Sequence, residues 1–137
     1  MTTDEPRPPA RRKVDALALL ATPGVDVWVA TAAGGPAHLV PLSLAWVDER
    51  VVLALEADSL TARNLAATGR ARLGVGPTRE VVMMDAELEA THPVAEAPAA
   101  LGEAYAAQAD WDPRPAPDGY VYLVLRPMRM QAWREAN

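Results

Sequence analysis

Two strand patterns joined by a glycine-rich turn place the strongest constraint on the fold of this chain. Residues 25–31 alternate between β-branched residues and a mixed set, and residues 37–47 form a second largely apolar run. The triplet Gly34-Gly35-Pro36 lies between them and is typical of a tight turn. Because a period of two is the signature of a half-buried strand, this stretch predicts a β-hairpin.

The segments around the hairpin predict an α+β fold. Helices are expected over about residues 10–21, 60–68 and 98–109, and strands over 51–55, 71–75, 81–90, 120–125 and 128–133, with Pro127 expected to bend or bulge the chain. This order favours a largely antiparallel sheet curled into a small barrel. We expect one domain over residues 10–137, after a disordered tail over residues 1–9.

Composition excludes several classes of function. The 137 residues carry a net charge of −5, so neither nucleic acid nor an anionic membrane surface is an expected partner. There is no cysteine, which rules out disulfides and thiolate chemistry. No apolar run is long enough to span a bilayer and the first residues lack the pattern of a signal peptide, so a cytoplasmic location is the default expectation.

A shortage of large apolar side chains favours an oligomer. The chain has no Phe, 4 Trp and 3 Tyr, and Ala is abundant. Since Ala buries little surface, and burial contributes about 25 cal/mol per Å², association with a second copy would supply missing burial.

The second strand pattern carries the most informative segment for function. Leu39, Pro41, Ser43 and their small neighbours share one face, on which a flat ligand could lie. Pro41 also removes one donor from the ladder and leaves neighbouring backbone groups free. The alternative is an edge strand in which the proline blocks aggregation.

A helix start at residues 59–64 predicts a place for an anion. Ser59 suits the N-cap, and Thr61 and Arg63 follow within about a turn. Unpaired amides and the positive end of the helix dipole favour an anion there, and hydroxyls with a guanidinium suit a phosphate. The alternative is an ordinary capped helix with Arg63 in solvent.

Gly74 and Gly76 precede Arg79 and would allow a ligand or a second chain to approach the backbone. Arg79 is a second candidate for an anion contact, or else an exposed turn residue. The spacing is not that of a Walker or dinucleotide motif.

Other chemistry lacks a pattern. His38 and His92 have no metal-ligand spacing, and no catalytic acid, base or nucleophile stands out. Tyr105, Trp111 and Tyr120 are candidates to line a pocket, with core or dimer contacts as the alternative.

Taken in order, these segments resemble the pyridoxamine 5′-phosphate oxidase-like split-barrel flavin-binding family over about residues 12–134. The carriers are the opening helix, the run VWVATAAGGPAHLVPLSLAW and the run VVLALEADSLTARNLAATGRARLGV. In that family the first run is typically two strands around a Gly/Pro turn, and the second is a strand, Ser-x-Lys-x-x-Asn-Leu opening a helix, and a strand. The resemblance implies a six-stranded antiparallel split β-barrel with flanking helices, a homodimer, and FMN or the deazaflavin coenzyme F-420 at the subunit interface.

The same resemblance implies roles for individual residues. Val40, Pro41 and Ser43 match the strand along the flavin ring. Ser59, Arg63 and Asn64 match the segment near the cofactor phosphate, and Trp133 matches a closing strand that approaches the partner's cofactor. The chain departs from the family at Thr61, where Lys is common, so the phosphate site loses a positive charge that Arg63 or Arg79 would replace.

These expectations support two main functions. The first is a flavin- or deazaflavin-dependent oxidoreductase that acts on an unknown small molecule, with the cofactor supplying the redox step. The alternative is a non-enzymatic split-barrel dimer that binds or sequesters a flavin or another planar anion, which the loss of the Lys favours. An interaction domain without a ligand is a third possibility.

Overall fold

Seven strands and three α-helices form the part of the chain that the structure, a computed structural model, describes, namely residues 7–135. The helices are α1 (Pro9–Leu20), α2 (Leu60–Thr68) and α3 (Ala99–Gln108), and a 3-10 turn spans Val94–Glu96. The strands are β1 (Asp26–Thr31), β2 (His38–Ser43), β3 (Ala45–Val47), β4 (Arg50–Glu56), β5 (Arg70–Val75), β6 (Glu80–Pro93) and β7 (Tyr120–Arg134). The predicted tail lies largely outside the described residues, and α1 already begins at Pro9.

The strands form one antiparallel sheet in the order β2-β1-β5-β6-β7-β4-β3. β2 and β3 are the two edges of this sheet, yet only Leu44 separates them in the chain. The sheet must therefore curl until its edges meet, which gives an open barrel. The predicted α+β class and antiparallel sheet are confirmed, whereas the prediction of six strands is wrong: the described residues form seven, and the ladder does not close.

The number six came from the family resemblance; the strands predicted segment by segment also number seven, but two of their boundaries differ because of one break and one continuation. Leu44 and Ala45 are adjacent and both fully buried, but Leu44 faces the barrel interior while Ala45 packs on the outer face beneath α3. The predicted second strand therefore breaks at a barrel corner. Pro127 does bulge the chain, since the register shifts between Asp85 and Ala86 on the neighbouring strand, but β7 continues through the bulge.

The barrel interior holds the main apolar core. Helix α1 contributes Ala16 and Leu20 to it, and α2 contributes Ala62 and Leu65. The remaining buried members come from the inward faces of the strands and are mostly Val and Leu. The two helices and the sheet thus enclose a single interior, which fixes the positions of the strand faces that point outward.

The outer face of the sheet has two unlike halves. The covered half consists of β3, β4 and the first part of β7, and α3 packs on it through a second apolar cluster that includes Val52, Ala54, Tyr105 and Tyr122. The bare half is the outer face of β2, β1, β5, β6 and the last part of β7, on which no helix of the described chain is seated.

Candidate functional site

The bare half presents apolar surface around the predicted flavin strand. Pro41 lies opposite Trp28 in the β1–β2 ladder, and both are exposed, Trp28 at 51%. Leu39, two residues along the same strand, is exposed at 59%. The side chains therefore form an apolar surface on an edge strand, and Pro41 has no N–H to offer the ladder.

Gly74 extends this surface across the next strand. It pairs with Trp28 from the other side, and a Cβ built on it would meet no atom within 4 Å. The position thus leaves open space beside the indole. Gly76 has a different role, because it lies in a turn with φ of +99° and a Cβ there would come within 2.6 Å of the Glu80 carbonyl oxygen.

The other two residues predicted on the flavin strand are less open. Val40 is turned inward and packs against the main core. The Ser43 hydroxyl is hydrogen-bonded to Asp110 at 3.1 Å, which ties the end of β2 to the segment after α3. Of the predicted ring contacts, only Pro41 lies fully on the bare half.

The start of α2 is capped as predicted, and most of its polar groups bind the protein itself. The Ser59 hydroxyl accepts a hydrogen bond from the Ala62 amide at 3.2 Å. Thr61 is buried, and so is Asn64, whose amide donates to the Thr31 hydroxyl at 3.1 Å. The hydrogen bond between Asn64 and Thr31 is buried and fastens α2 to the end of β1.

Arg63 is the charged group that this helix start presents to solvent. Within residues 7–135 its guanidinium makes no ion pair or hydrogen bond. It stands in the first turn of α2, where unpaired backbone amides carry partial positive charge. The helix start thus combines a positive end with one free guanidinium, next to the exposed carboxylate of Asp58.

Arg79 and Trp133 lie at the end of the bare half that is farthest from Pro41 on β2. Arg79 is paired with Glu135 at 2.5 Å, and Trp133 is 47% exposed opposite Val81. Four strand spacings separate β7 from β2, which is about 19 Å at roughly 4.8 Å each. One protomer therefore does not bring Trp133 beside Pro41.

The predicted pocket aromatics lie elsewhere, on the covered half. Tyr105 packs against Tyr122 and Trp111 at ring-centre distances of 5.6 and 6.5 Å, and Trp111 packs edge-on against Tyr120 at 5.3 Å. Burial raises the pKa of Tyr105 well above its ordinary value, and its hydroxyl has no hydrogen-bond partner. These rings pack at the apolar cluster under α3, which agrees with the alternative that they are core residues.

A slot between α1, the β3–β4 turn and β7 was not predicted from the sequence. Its volume is about 760 Å³, and its walls include Arg12, Lys13, Trp46 and Trp133. The available signal was the basic run at residues 11–13. Among residues 7–135 there is no cluster of His, Asp or Glu suited to a metal ion, and no helix there is long and apolar enough to cross a membrane.

Comparison with solved structures places this architecture among known proteins. A protein named F420 reductase matches with a TM-score of 0.67 and 18% identity, over 83% of this chain and 94% of its own. A candidate pyridoxamine 5′-phosphate oxidase of Listeria innocua matches with a TM-score of 0.66 and 12% identity, over 90% of this chain and 98% of its own. A FAD-binding protein of Mesorhizobium loti matches with a TM-score of 0.61 and 19% identity, over 85% and 90%.

No family model matches the sequence, and no curated protein is significantly similar to it. At these identities the structural matches establish the fold. They also confirm the resemblance drawn from the two sequence runs at that level. The chain has the split-barrel fold of the pyridoxamine 5′-phosphate oxidase-like flavin-binding proteins.

Proposed function

We propose that two copies of this chain bind FMN, or the deazaflavin F-420 in its place, and act as an oxidoreductase on a small molecule. The observation that carries the proposal is the apolar surface of Trp28, Leu39 and Pro41 on the bare half, in a fold whose solved examples include an F420 reductase and a FAD-binding protein. A soluble monomer rarely leaves several large apolar side chains together on one face without a partner or ligand.

The bare half fits a flat ring. Trp28 and Pro41 offer adjacent apolar surfaces, and Gly74 leaves space beside them. An aromatic ring stacks well on an indole, and burial of both surfaces supplies the favourable free energy. A second protomer packed on this half would supply Trp133 from its own β7, since one chain alone holds the two places about 19 Å apart.

The start of α2 fits a phosphate through fewer groups than the family resemblance implies. Arg63 would provide the charge and the backbone amides of the first turn would provide further donors. Asn64 holds the helix to β1 and acts through its position, and Thr61 is buried. Val40 and Ser43 support the strand in the same way, and Arg79 would contribute only after release from Glu135.

In this proposal the bound cofactor supplies hydride transfer, and the chain supplies binding and orientation. The apolar residues around Trp28 would exclude water from one side of the ring. A charged Arg63 would anchor the phosphate end and so fix how the ring lies on the sheet.

A second function is favoured by one specific observation. The family's Lys position is occupied by Thr61, which is buried and carries no charge. A chain that holds the phosphate with a single guanidinium would suit storage or sequestration of a flavin without turnover, which is the binding-dimer alternative.

Titration by fluorescence quenching tests the proposal. FMN and F-420 are each titrated into the purified chain, into Arg63→Gln and into the control Arg126→Gln, whose residue pairs with Glu87 and lies on β7, four strands from Pro41. We expect saturable binding of one cofactor, weakened about tenfold in Arg63→Gln, since a charge-assisted hydrogen bond contributes roughly 1.5–3 kcal/mol. Lack of saturable binding of either cofactor would refute it. Reduction and reoxidation of the bound cofactor with added donors and acceptors then separates the enzyme from the binding dimer.

A further inference from the structure

The slot between α1 and β7 lies at an opening of the barrel. Residues 126–134 of β7 pair only with β6, since β4 covers β7 no further than Leu125. The unpaired edge therefore borders a cavity of about 760 Å³, with α1 on one side and the β3–β4 turn on the other. Pockets of this volume are typical of sites for small molecules.

Apolar side chains line the body of this slot. They include both Trp46 of β3 and Trp133 of β7. Met130 and Leu17 complete this lining, and Met is a flexible, polarisable side chain that adapts to ring-shaped ligands. The lining is therefore suited to an aromatic or otherwise flat apolar group.

The rim of the slot is basic in a chain whose net charge is −5. Arg12 and Lys13 lie on it, and within residues 7–135 neither makes an ion pair. Their neighbour Arg11 differs, because it is paired with Asp15 at 3.1 Å. Two cations without partners at the mouth of an apolar cavity attract an anion.

The β3–β4 turn adds a third basic residue and one carboxylate. Asp48 and Glu49 both have positive φ, 49° and 61°, as a two-residue hairpin turn between paired strands requires. The Glu49 side chain lines the slot and opposes an anion there. Arg50, which also lines the slot, is held by Glu89 at 2.7 Å.

We propose that this slot is a second binding site, for a small anion that carries an aromatic ring, such as an aromatic carboxylate. The ring would lie between Trp46 and Trp133, and the carboxylate would face Arg12 and Lys13. The site is separate from the α2 start, because Arg50 and α2 lie at opposite ends of β4, whose 7 residues span about 20 Å. It shares Trp133 with the proposed contact between two copies, but it does not rest on binding of a flavin.

The test uses 8-anilinonaphthalene-1-sulfonate, an aromatic anion that fluoresces when bound in apolar surroundings, with the full chain free of added flavin. Binding is followed with excitation of tryptophan, so that energy transfer reports a dye close to the indoles. The test variant is Arg12→Gln/Lys13→Gln, and the control Arg11→Gln/Arg126→Gln removes the same charge outside the slot. Thermal unfolding of each variant shows whether it is folded.

We expect saturable binding of one dye per chain. Binding should be about tenfold weaker in the test variant than in the control, because only the test variant loses its two partly exposed charges at the rim of the slot. Added salt should weaken binding to the wild type. 1-Naphthoate should displace the dye, and the uncharged 1-naphthalenemethanol should displace it far less. Glu49→Gly, which removes the carboxylate and suits the positive φ, should bind the dye more tightly.

Three results would overturn the proposal. One is equal affinity of the test and control variants, which would place the dye elsewhere. Another is displacement by the uncharged alcohol as strongly as by the carboxylate, which would show a site without preference for anions. The third is a fluorescence signal that does not saturate, which indicates non-specific adsorption. None of these outcomes depends on the flavin titration, so the two proposals fail separately.

Discussion

The two halves of the outer sheet face belong to one continuous sheet and share only β7, and they differ in what covers them. On the covered half, α3 seals Val52, Ala54 and Tyr122 from water. On the bare half, Trp28, Leu39 and Trp133 stay exposed. The chain thus covers one half with its own helix and leaves the other open, with an apolar surface around Trp28 and charged side chains at Arg72 and Asp85. This contrast is the reason for proposing a function on the bare half, since stability alone would favour covering the apolar surface.

The side chain of Gln108 joins the end of α3 to two neighbouring elements. The Gln108 amide accepts a hydrogen bond from the Trp46 backbone N–H at 2.7 Å and donates one to the Leu20 carbonyl at 2.6 Å. The backbone carbonyl of Gln108 also accepts a hydrogen bond from the backbone N–H of Gly24 at 2.8 Å. The end of α3 is therefore joined to β3 and to the end of α1, and nothing comparable is described on the bare half.

The largest expected difference between the halves follows from truncating one aromatic residue in each. Tyr105→Ala removes a fully buried ring and should lower the free energy of unfolding by about 3–5 kcal/mol. Trp28→Ala, on the exposed side, should change it by about 1 kcal/mol or less in dilute, monomeric solution. Urea unfolding of both variants measures this, and similar losses would show that the bare half is a folding surface.

Charge placed on the bare half should act on assembly. If two copies pack there, Trp28→Glu puts like charges into the interface and should raise the dimer dissociation constant by more than about tenfold. Sedimentation equilibrium should show a wild-type mass of twice 14.6 kDa and a variant closer to 14.6 kDa. Arg126→Glu serves as the control for surface charge, and a monomeric wild type at high concentration would contradict the dimer.

Loss of the Gln108 hydrogen bonds should loosen the packing of α3 on the covered half. Gln108→Leu keeps the size of the side chain but leaves the Trp46 amide and the Leu20 carbonyl without partners. We expect a loss of about 1–3 kcal/mol in unfolding free energy. Hydrogen exchange should rise first in α3 and β3, and a uniform rise across the molecule would argue against a local latch.

The smallest effect concerns the buried Tyr105 hydroxyl and pH. Because burial raises its pKa, the folded state keeps Tyr105 neutral while the unfolded chain ionises near pH 10. Folding stability is therefore full below pH 10 and falls as pH rises above it. Tyr105→Phe should be as stable as the wild type or slightly more so at pH 8, since it removes an unpaired buried hydroxyl. Its loss of stability between pH 9 and about pH 11 should also be smaller, and equal slopes would contradict this assignment.

Local signals predicted much of the fold. The Gly34 turn gave the hairpin, and Ser59 with Gly69 bounded α2, where Gly69 has the left-handed φ of 71° and its N–H reaches the Leu65 carbonyl at 2.7 Å. These features depend on neighbours in sequence, which a sequence displays directly.

Features that depend on tertiary structure could not be predicted in this way. The break at Leu44 arises because the sheet curls, and the continuation through Pro127 depends on a bulge opposite β6. The burial of Thr61 depends on its packing near β1, so its spacing alone indicated a phosphate ligand. The aromatic cluster under α3 joins rings far apart in the chain, and their sequence positions did not separate core from pocket.

Tryptophan oxidation by hydroxyl radicals tests the functional difference between the two halves most directly. Trp28 and Trp133 report on the bare half, and Trp111 on the covered half is comparably exposed. At high protein concentration with the bound cofactor, the account predicts strong protection of Trp28 and Trp133 in peptide mass spectra and unchanged oxidation of Trp111. Equal oxidation of all three, with and without the cofactor, would contradict the claim that the bare half is where a second copy and the flavin bind.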